Sequence, residues 1–98
     1  MNIKQLKNKA FVDFASKIVG YRVEKLFPIL TRASGVVVLD FTAPDNGYGQ
    51  TEYEKFMFSS TSCVRKSNMV GTIDISNRWL EFVNNLQTEK ENKNITSI

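Results

Sequence analysis

The sequence predicts an α+β fold, with an N-terminal helix, a three- or four-stranded antiparallel sheet and a C-terminal helix packed on one sheet face. Apolar residues recur at three- and four-residue steps near both ends of the chain and at two-residue steps in the middle. The length of 98 residues suits one domain. Polar and charged residues dominate after Gln87. We therefore place a single domain at 1–87 and a polar, disordered tail at 88–98.

Two segments have the apolar spacing of a helix with one buried side. In the first, residues 2–19, the apolar residues fill an arc of about 140°: Ile3, Leu6, Ala10, Phe14 and Ile18. The last helix is expected to begin at Ser76 or Asn77, because either side chain can cap an N-terminus. Its apolar stripe is expected to face the sheet: Trp79, Phe82, Val83 and Leu86.

The segment 21–34 fits two structures. Its apolar spacing allows a second helical stretch, but Pro28 disfavours a helical conformation at Phe27. The alternative is a strand over 27–33 that turns at Ser34-Gly35.

Three segments have the pattern of strands: 36–42, 52–60 and 69–75. The first is apolar on both faces, which predicts an interior strand. The other two alternate between apolar and polar residues, which is typical of strands with one buried face. The segments between them, 43–51 and 61–67, are rich in Gly, Asn, Ser or Thr, and we predict loops there.

The composition excludes several function classes. The chain has no histidine and one cysteine, Cys63, so the usual base of nucleophilic catalysis and most zinc-ligand sets are missing. It has no phosphate-binding or dinucleotide-binding glycine motif. No disulfide can form within the chain, and no apolar run approaches the roughly 18 residues of a membrane span. We expect a cytoplasmic protein that is not an enzyme, has no cofactor and does not enter a membrane.

The loop after the first strand is the candidate partner-binding site. Tyr48 lies there between two glycines, and tyrosine supplies a large contact area at low entropy cost. Its polar and acidic neighbours complete the predicted surface: Asp45, Asn46, Tyr48, Glu52, Tyr53 and Glu54. These residues predict a small protein-binding inhibitor or adaptor whose partner is another protein.

The charge distribution supports nucleic-acid binding as the alternative. The net charge is +3, and residues 1–34 carry seven basic against two acidic side chains. Four cations are the candidate phosphate contacts: Lys4, Arg22, Arg65 and Lys66. The last two are expected at the tip of the 61–67 connection. The lysines of the first helix surround it instead of forming a stripe, and residues 35–64 carry four acidic side chains against one basic, which favours a protein partner.

A metal-dependent nuclease at Asp40, Asp45 and Glu52 is the third hypothesis, because Mg²⁺ prefers carboxylate oxygens. Many nucleases place an acidic residue two positions before a lysine, but Tyr53 occupies that position before Lys55. We therefore assign no metal-binding residues.

Composition and size add two further expectations. Lys and Asn each occur nine times, which indicates an AT-rich genome. Small binding modules without enzymatic motifs are frequent in phages and mobile elements, so we expect a protein of that type. Small domains with an exposed strand edge also pair with a second copy, so a homodimer fits the sequence.

Overall fold

A five-stranded antiparallel sheet forms the centre of the molecule in the computed structural model, which describes residues 3–96 and their side chains as far as Leu86. Each strand pairs with the next along the chain: β1 (Ile29–Ala33), β2 (Val36–Thr42), β3 (Tyr53–Phe58), β4 (Cys63–Ser67) and β5 (Gly71–Asp74). The two helices are α1 (Asn8–Val19) and α2 (Ser76–Thr96). The predicted α+β architecture is confirmed, but the sheet has five strands and not three or four.

The core lies between the helices and one face of the sheet, which we call the inner face. Phe58 on β3 contacts both helices, with ring centroids 4.9 Å from Phe11 and 4.7 Å from Trp79. The indole Nε1 of Trp79 donates a hydrogen bond to the carbonyl of Ser59 at 3.1 Å, so its one polar atom is satisfied. Burial of each such ring contributes about 1.5–3 kcal/mol. Of the predicted apolar stripe of α2, Trp79 and Val83 are buried in this core and Phe82 packs against it, whereas Leu86 is half-buried and outside it.

The first strand comes from the segment that fitted two structures. A short 3-10 helix spans Val23–Leu26, and β1 follows from Ile29, so each alternative holds for part of 21–34. The helix ends at Phe27, which has a left-handed φ of +53° immediately before Pro28. A proline disfavours helical geometry at the residue before it, which explains the break.

The fourth strand lies where the sequence predicts a connection at 61–67. Only Ser59–Ser62 forms a turn, closed by a 2.8 Å hydrogen bond from the Ser59 amide to the Ser62 carbonyl. β4 pairs with β3 over its whole length. Arg65 therefore lies on the inner face and Lys66 on the other, and neither is at a hairpin tip. The prediction failed because a charged residue occupies an inward position, so β4 lacks the usual alternation.

The first helix begins later than predicted. A 3-10 helix spans Ile3–Gln5, and Lys7 is extended with ψ of 157° before α1 begins at Asn8. Arg32 of β1 explains the interruption, because its guanidinium donates to the Leu6 carbonyl at 2.7 Å and to the Asn8 side chain at 2.9 Å. A tertiary contact thus replaces the continuous helix expected over 2–19.

The start of α2 is fixed by Asp74 and not by the predicted caps Ser76 or Asn77. The Asp74 carboxylate accepts hydrogen bonds from the Ser76 amide at 2.9 Å and from its hydroxyl at 2.5 Å, which lowers the pKa of Asp74. The Ser76 hydroxyl oxygen in turn accepts from the Cys63 amide at 3.1 Å, joining the helix to β4.

The backbone of α2 continues to Thr96, past the predicted helix end at Gln87. Glu and Lys, which favour helices, are frequent in this stretch. The disorder expected for 88–98 stays a prediction, because the side chains beyond Leu86 lie outside the described residues. Neither helix, over its described residues, is long and apolar enough to cross a membrane.

Candidate functional site

The β2–β3 loop, residues 43–52, is a closed structure held at two levels. At its base, the Ala43 amide donates to the Glu52 carbonyl at 2.6 Å. Nearer the tip, the Asn46 amide donates to the Gln50 carbonyl at 3.1 Å, and the Asn46 side-chain amide donates to the Gln50 side chain at 3.0 Å. The loop predicted at 43–51 is therefore ordered by its own hydrogen bonds.

Asp45 and Asn46 fix the tip that carries Tyr48. One carboxylate oxygen of Asp45 accepts from the amides of Gly47 and Gly49, at 2.8 and 2.9 Å. The Asn46 side-chain oxygen accepts from the Tyr48 amide at 2.9 Å. Both glycines have left-handed φ angles, 91° and 75°, which a side chain would strain. Asp45 and Asn46 therefore position the tip, and the side chain of Tyr48 is 86% exposed.

Tyr53 lies beside the loop on the sheet face that points away from the helices, which we call the outer face. Its hydroxyl donates a hydrogen bond to the Asp40 carboxylate on β2. That bond, with a smaller effect of desolvation, raises the pKa of Tyr53. The ring remains 47% exposed, so Asp40 holds a tyrosine that is accessible at the surface.

Glu54 is on the opposite side of the sheet from Tyr53 and does not belong to the candidate surface. It is 2% exposed, and its carboxylate forms two hydrogen bonds with the Arg65 guanidinium, at 3.0 and 2.8 Å. These bonds raise the pKa of Arg65, and the charge of Glu52 raises it by a smaller amount. Glu52 is half-buried. We leave Glu54 out of the partner-binding set.

Three chain segments meet at the sheet end that carries this loop. Because the strands alternate in direction, the Phe27-Pro28 link before β1, the β2–β3 loop and the β4–β5 turn at 68–70 all lie there. We call these three segments the loop end. It exposes Phe27 to 88% and Tyr48 to 86%, together with Met69 and Val70 of the turn. Ile29 and Tyr53, the first residues of their strands, add to it.

The opposite end of the sheet has a different composition. Its two turns contain Ser34-Gly35 and Ser59–Ser62, which offer only small and polar side chains. Most of the exposed large apolar residues described, six of nine, therefore lie at or next to the loop end. Sequence reasoning missed Phe27 and Met69. The proline that follows Phe27 is a sequence signal for that residue. Met69 can be recognised as a turn residue only when β4 is known to be a strand.

The four candidate nucleic-acid residues do not share one surface. Arg65 faces the core side and is bound to Glu54, whereas Lys66 lies on the outer face next to Lys55. Lys4 is in the first 3-10 helix, and Arg22 precedes the second.

The carboxylates of the metal hypothesis are also separated. Asp40 holds Tyr53 on the outer face, and Asp45 is folded into the loop tip. Among the described residues, no group of three or more His, Cys, Asp or Glu side chains could hold a metal ion. Cys63 is buried, and desolvation, with a smaller effect of the Asp74 charge, raises its pKa to about 12.

Comparisons with family models, with curated proteins and with solved structures gave no match. Function must therefore be inferred from the geometry of this chain alone.

Proposed function

We propose that the chain is a protein-binding module of the inhibitor or adaptor kind, and that the loop end contacts its partner. The observation that carries the proposal is the concentration of exposed large apolar side chains at one end of the sheet. Aromatic residues and methionine are enriched at protein interfaces, and a few such anchors supply most of the binding energy. An exposed cluster of this kind in a small domain indicates an interaction site.

The order of the β2–β3 loop supports the same proposal. Asp45 and Asn46 hold the backbone on both sides of Tyr48 before any partner arrives. A side chain presented on a fixed backbone loses less conformational entropy on binding than one on a mobile loop. Tyr48 and Phe27 are therefore the expected anchors, with Tyr53 held beside them by Asp40.

The test is affinity capture with the tagged chain from a lysate of the organism that carries it, after nuclease treatment. We expect a stoichiometric protein that co-elutes with the wild type. Tyr48→Ala and Phe27→Ala should each weaken its binding about tenfold or more, as expected for an anchor residue. Leu80→Ala is the matched control, because Leu80 is an exposed apolar residue on α2, away from the loop end.

Circular dichroism should give the same spectrum for all variants, since none of the three side chains is buried. A captured protein whose affinity is unchanged in both loop-end variants would refute this assignment of the site.

Nucleic-acid binding is the alternative, with less support. Of its four predicted residues, Lys66 lies next to Lys55 on the outer face and Lys4 lines a cavity with Arg32, so these cations do not form one surface. Binding to labelled oligonucleotides that falls steeply with salt, together with loss of every captured protein on nuclease treatment, would favour it.

A further inference from the structure

The outer face of the sheet is not covered by a described helix, and its centre is apolar. In most antiparallel sheets with one solvated face, that face is polar. Here a row of side chains crosses the sheet in direct register from Thr31 on β1 to Asp74 on β5, and its three central members are apolar: Val38, Met57 and Val64. Val36 extends the apolar area and is itself exposed. No described helix lies on this side, so these side chains remain in contact with water in a single copy of the chain.

A second row on the same face carries charges. It consists, from β1 to β4, of Ile29, Asp40, Lys55 and Lys66. The two lysines are direct cross-strand neighbours, an arrangement that is unfavourable for like charges. Neither forms an ion pair with another described residue, and the Asp40 carboxylate accepts its hydrogen bond from Tyr53. Asp40 on β2 is the direct cross-strand neighbour of Lys55 on β3, whereas Lys66 on β4 lies between Lys55 and Thr72 and has no acidic neighbour in the row.

We propose that a second copy of the chain covers this face, related by a twofold axis that runs parallel to the strands between β2 and β3. Rotation about such an axis places β2 of one copy over β3 of the other and keeps each residue in its own row. Asp40 then faces Lys55 of the second copy, and Val38 faces its Met57. Each contact occurs twice, as in any twofold interface.

Repulsion between like charges disfavours the neighbouring twofold axes that run parallel to the strands. An axis along β3 would place Lys55 over Lys55, and an axis between β3 and β4 would place Lys55 over Lys66. An axis along β2 would oppose the two copies of Asp40. Aligned sheets pack about 10 Å apart with their strands rotated by about 30°, so contacts close to the axis are the ones preserved. The Asp40–Lys55 and Val38–Met57 pairs are those closest to it.

The size of the face sets the expected strength. Four strands about 4.8 Å apart and five residues at about 3.4 Å cover a flat area of about 320 Å². A standard interface buries about 800 Å² on each partner. The dimer is therefore expected to be weak and to form only as the concentration of the chain rises.

Sedimentation of the purified full-length chain over a range from micromolar to millimolar tests the proposal. We expect the wild type to shift from monomer to dimer as the concentration rises. Met57→Lys places like charges next to the axis and should abolish the shift, whereas the control Leu80→Lys on α2 should retain it. Asp40→Lys should weaken the dimer, and Asp40→Lys with Lys55→Asp should restore it, because the exchanged charges again face each other.

A wild type that stays monomeric at every concentration overturns the proposal, whether or not it binds a single-stranded oligonucleotide through Lys55 and Lys66. A dimer that persists in Met57→Lys also overturns it, because the contact must then lie at a strand edge or at the loop end. The outcome is independent of the partner-binding proposal. Tyr48→Ala should still dimerise, and loss of a protein partner in that variant leaves the dimer unaffected.

Discussion

Glu54 of β3 and Arg65 of β4 form an ion pair on the inner face of the sheet, joined by hydrogen bonds of 3.0 and 2.8 Å. The Arg65 guanidinium also lies 6.0 Å from the centroid of the Phe56 ring. The pair thus places two charges among apolar side chains, where each depends on the other.

Arg65→Ala is expected to lower the free energy of unfolding by about 3 kcal/mol, because it leaves the buried Glu54 carboxylate without its partner. Urea denaturation measures the loss. The double variant Glu54→Leu with Arg65→Met should recover most of it, since apolar replacement of both partners removes the uncompensated charge. A loss below about 1 kcal/mol in the single variant would mean that the pair behaves as a surface ion pair.

Phe27→Gly is expected to stabilise the fold. Phe27 has a φ of +53° and is almost fully exposed, so its side chain strains the backbone without packing in the core. Glycine relieves this strain but loses more entropy on folding, which leaves a net gain of roughly 0.5–1 kcal/mol. Phe27→Ala keeps the Cβ atom and should leave stability unchanged. Equal melting temperatures for the two variants would contradict the strain at this position.

Asp45→Ala is expected to loosen the tip of the β2–β3 loop. It removes the acceptor of the Gly47 and Gly49 amides. NMR relaxation should give order parameters near 0.85 for these amides in the wild type and below about 0.6 in the variant. Asp45→Asn keeps an acceptor oxygen and serves as the control. Unchanged order parameters in Asp45→Ala would show that the backbone holds the tip without the carboxylate.

Cys63 is expected to be unreactive in the folded chain. Its pKa is raised from 9.0 to about 12, mainly by desolvation. At pH 8 the thiolate fraction is therefore about a thousandfold lower than in the unfolded chain. Labelling with a disulfide reagent should be slower by about that factor until urea is added. Fast labelling without denaturant would show that the thiol becomes exposed in the native state.

The same pKa shift makes stability depend on pH. The folded pKa is raised, so the contribution of the neutral thiol is complete below pH 9 and is lost as the pH rises towards 12. Denaturation curves should therefore show a constant difference in the free energy of unfolding between the wild type and Cys63→Ala below pH 9. Above pH 9 that difference should change.

The strands with regular alternation could be predicted from the sequence, and β4 could not. In β2 and β3 every inward position except Glu54 is apolar, so the two-residue spacing of the inward apolar side chains is visible in the sequence. In β4 the central inward position is Arg65, which is acceptable there only because Glu54, eleven residues earlier, lies beside it. A window of local sequence does not contain that pairing.

The candidate site divides in the same way. The β2–β3 loop and Tyr48 are visible in the sequence, because glycines and Asx residues specify a turn through local hydrogen bonds. The loop end is not, because Phe27 and Met69 join Tyr48 only through the order and direction of five strands.

The sequence by itself therefore determined what short-range periodicity encodes, namely the class of fold, the apolar stripe of α2 and the exposed tyrosine loop. The tertiary structure alone decided the strand count, the buried position of Glu54 and the gathering of apolar residues at one end. The physical reason is that strand pairing compensates charges and brings segments together over distances along the chain that local patterns do not record.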